Sequence, residues 1–88
     1  MEQFMPEEAR AFLLERPRTA KLATVPADGR PHVAPVWFDL DGDALVFTTW
    51  HTTVKAANLR RDPRVSLCVD DDAPPFACVI IEGVANVY

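Results

Sequence analysis

The residues best suited to chemistry lie in the run His51-Thr52-Thr53-Val54-Lys55. This run joins a strand-like segment to a helix-forming one, so the hydroxyls of Thr52 and Thr53 stand where a helix would begin. A helix start carries backbone N–H groups without intrahelical acceptors and a partial positive charge, and both suit an anion. Lys55 adds a full positive charge in the first turn, where it can donate charge-assisted hydrogen bonds. Together these features read as a site for a phosphate-bearing molecule. Taken alone, Lys55 is equally a surface lysine on a short helix. Arg60, Arg61 and Arg64 follow in an otherwise acidic chain. They read as a solvated face, or as ion-pair partners of Asp62 and of the acidic stretch beyond it.

Other chemistries find less support. Two histidines and two cysteines give no Ser/His/Asp or Cys/His nucleophile arrangement and no zinc-ligand spacing. Asp70-Asp71-Asp72 could hold a metal, but three carboxylates before Pro74-Pro75 read first as a solvated loop tip. His32 reads as a satisfied sheet residue. His51 borders the anion corner, where it could act on a bound molecule, although a loop histidine needs no such role. Trp37 and Trp50 read as core or subunit-interface aromatics.

The elements that would hold the corner follow from periodicity. Leu45, Phe47 and Thr49 alternate with Val46, Thr48 and Trp50, the pattern of a half-buried strand running up to the corner. Val54 to Leu59 favours helix, and Asp62-Pro63 ends it. Val65, Leu67 and Val69 alternate again as the next strand. Upstream, Pro6-Glu7-Glu8 opens a short amphipathic helix that Arg16-Pro17 stops. Ala20 to Val25 is the first strand, and Pro26-Ala27-Asp28-Gly29 is a turn. Pro31 to Asp39 is the second strand, its prolines pointing to an edge or a bulge. Asp41-Gly42 signals a hairpin into the third strand, and Phe76 to Tyr88 is a long fifth strand with Gly83 as a candidate bulge. Five strands and two short helices suggest a small antiparallel barrel, whose closure would remove exposed edges. The chain stops within strand-like sequence, as it would if further C-terminal residues or a second subunit completed the barrel.

Eighty-eight residues make one domain, residues 1–88, with the helix over about 6–16 and the barrel with its connecting helix over about 19–88. A net charge of −4 argues against a general nucleic-acid binder, which needs a basic face. No apolar run approaches the roughly 20 residues of a membrane span, and the start MEQFMPEEAR is too acidic for a signal peptide. Cys68 and Cys78 sit in apolar strand contexts and read as reduced core thiols, hence a cytoplasmic protein. A disulfide between neighbouring strands is the alternative.

A resemblance now adds to this reading. The spacing Thr49-x-x-x-Thr53-x-Lys55-x-x-Asn58-Leu59, then Arg61-Asp62-Pro63-Arg64-Val65, resembles the pyridoxamine 5′-phosphate oxidase-like family of flavin-binding split β-barrels. Asp28-Gly29-Arg30-Pro31-His32-Val33-x-Pro35-Val36-Trp37-Phe38 and Glu82-Gly83 extend the match from about Ala11 to Val87. The wording is most similar to the branch that uses coenzyme F420, a deazaflavin, in place of FMN.

The resemblance implies a mainly β split barrel and a homodimer with two cofactor sites at the interface. It implies that Thr49, Thr53 and Lys55 meet the cofactor phosphate, with Asn58 the next candidate. The ring would lie along Leu22, Ala23 and Thr24 and near Val36 and Trp37, and the arginines would have at most a minor share in the cofactor's acidic tail. The tryptophan-and-arginine segment that holds the substrate phosphate in pyridoxamine phosphate oxidases has no counterpart after Val84, so vitamin B6 oxidation is not expected. The function implied is hydride transfer between a deazaflavin and a small organic molecule, with FMN as the second cofactor. No general acid or base is named, because a cofactor carries the chemistry. The alternatives are a carrier that binds flavin, deazaflavin or a haem-like ligand without turnover, and a barrel that only dimerises.

Overall fold

A computed structural model describes residues 5–50 and 52–88. The elements are α1 (Glu7–Leu14), β1 (Thr19–Thr24), β2 (His32–Trp37), β3 (Asp39–Asp41), β4 (Ala44–Val46), α2 (Val54–Arg61), β5 (Arg64–Asp70) and β6 (Cys78–Val84). α1 begins after Pro6 with two glutamates in its first turn, buries Leu13, and ends ahead of Arg16-Pro17.

β1 is the central organiser. Ala20, Leu22 and Thr24 alternate inward and are buried. It pairs antiparallel with β2, from Thr19 opposite Trp37 to Thr24 opposite His32, and on its other side with β5. The turn before β2 is the expected one: Gly29 N–H donates to the Pro26 carbonyl at 3.2 Å, and Gly29 takes φ +79°, where glycine is unstrained. The four-stranded sheet has the order β2-β1-β5-β6. β2 is an edge, as its prolines suggested, and β6 is the other.

Three boundaries differ from the sequence reading. The second strand breaks at Phe38 and resumes as β3, which pairs with β4 around Gly42 in a separate hairpin. β4 ends at Val46, because the chain from Phe47 to Trp50 leaves the ladder to build the corner before α2. β6 is shorter than Phe76 to Tyr88: Phe76 has φ +59°, a left-handed conformation foreign to a strand. Nor is there a bulge at Gly83, since β5 and β6 run in unbroken register from Arg64 opposite Val84 to Asp70 opposite Cys78. The strands thus form two sheets, and among the described residues the larger is not closed on itself.

The inner face of the large sheet carries the core: Leu22, Val36, Leu67 and Val69, with Leu13 from α1. Leu40 and Leu45 of the hairpin, with Phe12, Phe38 and Phe47, pack against it as the opposing wall. Arg18 clasps one end. Its buried guanidinium donates to the Phe12 carbonyl (3.1 Å), to Glu15 (2.9 Å) and to Asp71, and lies 3.9 Å over the Phe12 ring. Asp71 also takes a bond from Arg16, so this acid is held in ion pairs and not merely solvated. Both cysteines are free thiols; Cys68 faces Ile80 and Cys78 faces Asp70, so they are not direct cross-strand partners. None of the described helices is long and apolar enough to cross a membrane.

Candidate functional site

The corner before α2 is built by two threonines. Thr53 is the N-cap: its hydroxyl accepts from Ala56 N–H at 3.2 Å and donates to the Trp50 carbonyl at 2.9 Å. With its only proton given to Trp50, Thr53 receives the proton of Thr49, whose hydroxyl lies 3.0 Å away. Thr53 N–H also reaches Trp50. Of the first four N–H groups of the helix, those of Thr53 and Ala56 are therefore satisfied, while those of Val54 and Lys55 have no acceptor among the described residues. Lys55, half-buried in the first turn, has no ion-pair or hydrogen-bond partner among them either. Thr52 is exposed beside this corner; His51 lies outside the described residues.

α2 is locked to the sheet by its far half. Asn58 is buried and donates from Nδ2 to the Thr24 hydroxyl at 2.9 Å, which in turn lies 3.5 Å from His32 Nδ1. Arg61 donates to the Val25 carbonyl at the end of β1. Arg64 grips Asp62 with two bonds of 3.0 and 2.7 Å, and this contact lowers the Asp62 pKa from 3.8 to about 2. Arg61 and Arg64 are thus spent on structure, as partners of a carbonyl and of Asp62.

The strand residues divide by face. Leu22, Thr24 and Val36 point into the core, so Leu22 and Val36 can offer a bound ring only their backbone. Ala23 and Trp37 lie on the outer face, Trp37 in the open. An open cavity of about 230 Å³, lined by Ala23, Thr24, Val25, Arg64, Val65 and Ser66, lies at the end of β1 where α2 is tethered. The structure therefore joins Thr49 to Thr53 and Asn58 to Thr24, and keeps Trp37 at the other end of β1. The Asn58–Thr24 bond and the Arg18 clasp were not foreseen. A polar residue next to Leu59 on a short helix was the available signal for the first; nothing local marked the second.

Could the corner take a phosphate? A lysine and two N–H groups without partners among the described residues, with a threonine hydroxyl whose proton can turn, are a fitting donor set. Comparison with known proteins gives the family. The pyridoxamine 5′-phosphate oxidase profile matches residues 5–88, and the chain belongs to that family. Among solved structures it is similar to an F420 reductase, with 33% identity, a TM-score of 0.78, and coverage of 99% of this chain and 64% of that one. It is also similar to the conserved hypothetical protein Rv2991 from Mycobacterium tuberculosis (36% identity, TM-score 0.76, 96% and 56% covered). A third is HutZ, the haem storage protein from Vibrio cholerae (27%, TM-score 0.74, 93% and 61%). The chain thus spans less than two thirds of the length of each. Family and fold agree: the chain shares the pyridoxamine 5′-phosphate oxidase-like architecture.

Proposed function

We propose that the chain is the cofactor-holding part of an oxidoreductase that passes a hydride between coenzyme F420 and a small organic molecule, with FMN as the second cofactor. The observation that carries this reading is Lys55, which has no partner among the described residues, at a capped helix start where the Val54 and Lys55 N–H groups also have no acceptor among them. A phosphate there would meet Lys55, the Val54 and Lys55 N–H groups and the Thr49 hydroxyl. Thr53 and Asn58 act one step back: the first shapes the corner, the second fixes α2 against β1. The bound deazaflavin or flavin supplies the hydride. Ala23 and the strand backbone at Leu22, Thr24 and Val36 form a bed for its ring, and Trp37 flanks it. Preference for the deazaflavin is supported by the likeness to F420 reductase.

The functional unit in this reading is a homodimer, with a site at each side of the interface. Exposed Val33, Ile80 and Val84 on the outer face of the sheet support it, because an apolar face of this kind is unusual on a free monomer. Free cysteines suit a reducing, cytoplasmic setting. The likeness to a haem storage protein favours one other reading, binding without turnover. A single assay separates them: with reduced F420 and a panel of electron-poor acceptors, loss of the deazaflavin's reduced-state absorbance supports the enzyme, and tight binding without oxidation supports the carrier.

A further inference from the structure

His32 opens β2, half-buried and directly opposite Thr24 in the ladder. It shares the inward row of the sheet with Thr24, not the outer face where a second copy would sit. Its Nδ1 lies 3.5 Å from the Thr24 hydroxyl, which accepts from the Asn58 amide at 2.9 Å. One polar chain therefore runs from the edge strand through β1 into α2. We propose that His32 is a positioning residue for the α2 corner: protonated on Nε2, it takes the Thr24 proton at Nδ1 and so fixes the rotation of the helix.

Proton counting sets the direction of the chain. Asn58 donates from Nδ2, which occupies one lone pair of the Thr24 oxygen and leaves the Thr24 proton in need of an acceptor. Thr24 and Asn58 are both buried, and among the described residues no buried side-chain nitrogen or oxygen lacks a partner. His32 Nδ1 is the acceptor this proton meets among them. Nδ1 must then carry its lone pair, which puts the ring proton on Nε2. The bond is long, but a buried hydroxyl proton without any acceptor costs more than an ordinary hydrogen bond contributes. Asn58 stands three residues beyond Lys55, on the same helix face and about 4.5 Å further along the axis. A rotation of α2 at Asn58 would therefore swing Lys55 and the Val54 N–H away from their place at the corner. Arg61, the other tether, reaches the Val25 carbonyl with a long and exposed side chain, a looser restraint than a buried amide. The effect on affinity rests on the cofactor reading above; the tautomer does not.

Proton–nitrogen NMR of the imidazoles in the full chain, in mildly alkaline buffer, reads the tautomer directly. The His32 signals, identified by their loss in His32→Asn, should show the proton on Nε2 and none on Nδ1. Asn keeps an acceptor near the place of Nδ1, whereas His32→Leu removes it. His32→Leu should speed amide exchange about tenfold at Ala57, whose N–H bonds to the Thr53 carbonyl in the first turn of α2. His32→Asn should stay within about twofold of the wild type. F420 binding should weaken about fivefold in His32→Leu and recover in His32→Asn. If His32→Leu does not fold, the wild-type tautomer and the exchange in His32→Asn decide. A proton on Nδ1, or equal exchange in the two folded variants, would overturn the assignment. Absence of F420 binding in the wild type would overturn the cofactor reading alone, because tautomer and exchange need no ligand.

Discussion

Thr53 shows how much of the corner rests on one hydroxyl. It caps α2, closes the turn on Trp50 and takes the Thr49 proton. Thr53→Ala should cost about 1 to 2 kcal/mol in urea unfolding, and Thr53→Ser, which keeps the oxygen, should recover most of it. Equal losses in the two variants would mean that the methyl group matters and not the cap. The carboxylates set the acid response. Asp62 titrates at about 2 because Arg64 donates to it, and Asp71 is held below its ordinary value chiefly by the bond from Arg18. A carboxyl depressed in the folded state contributes stability above its unfolded value, about 4, and loses it as pH falls through the folded value. Thermal stability should therefore be level down to about pH 4 and fall from there toward pH 2. Asp71→Asn should lower the melting temperature at pH 7 and flatten the decline below pH 4; an unchanged slope would show that Asp71 does not contribute to it.

At the scale of elements, β1 and α2 matter most, tied by Asn58–Thr24 and Arg61–Val25. What was legible beforehand was local. Alternation marked β1 and β5, Thr53 and Asp62-Pro63 bracketed α2, and the turn chemistry of Asp28-Gly29 and Asp41-Gly42 placed two reversals. What was not legible depends on contacts far apart in the chain. The break at Phe38 and the early end of β4 reflect packing and the demands of the corner, while Arg18 finds Asp71 across 53 residues. Of the candidate site, the sequence indicated the Thr53 cap and the place of Lys55 in the first turn of α2, but not that Asn58 is a tether or that Leu22 and Val36 face the core. Gly83 illustrates the limit. It read as a bulge, yet it sits in regular pairing with Val65, and an added Cβ would meet nothing within 4 Å. Gly83→Ala should thus stabilise the fold by about 0.5 to 1 kcal/mol; destabilisation would reveal a steric demand at this strand position.

At the scale of the molecule, one sheet face is packed by α1 and the hairpin, and the other presents Val33, Ile80 and Val84 to solvent. A second copy on that face would complete the two-site dimer proposed above. Sedimentation should give twice the 9.8 kDa chain mass, and Ile80→Lys should return the protein to monomer; a wild-type monomer at micromolar concentration would remove the interface. The central claim, that the α2 corner holds the phosphate of a deazaflavin, meets its most direct test in parallel titrations of the full chain and of Lys55→Ala with F420 and FMN. Saturable F420 binding tighter than FMN, weakened tenfold or more in Lys55→Ala with its melting temperature unchanged, is the result expected. F420 binding of equal strength in both proteins, or none in either, would contradict it.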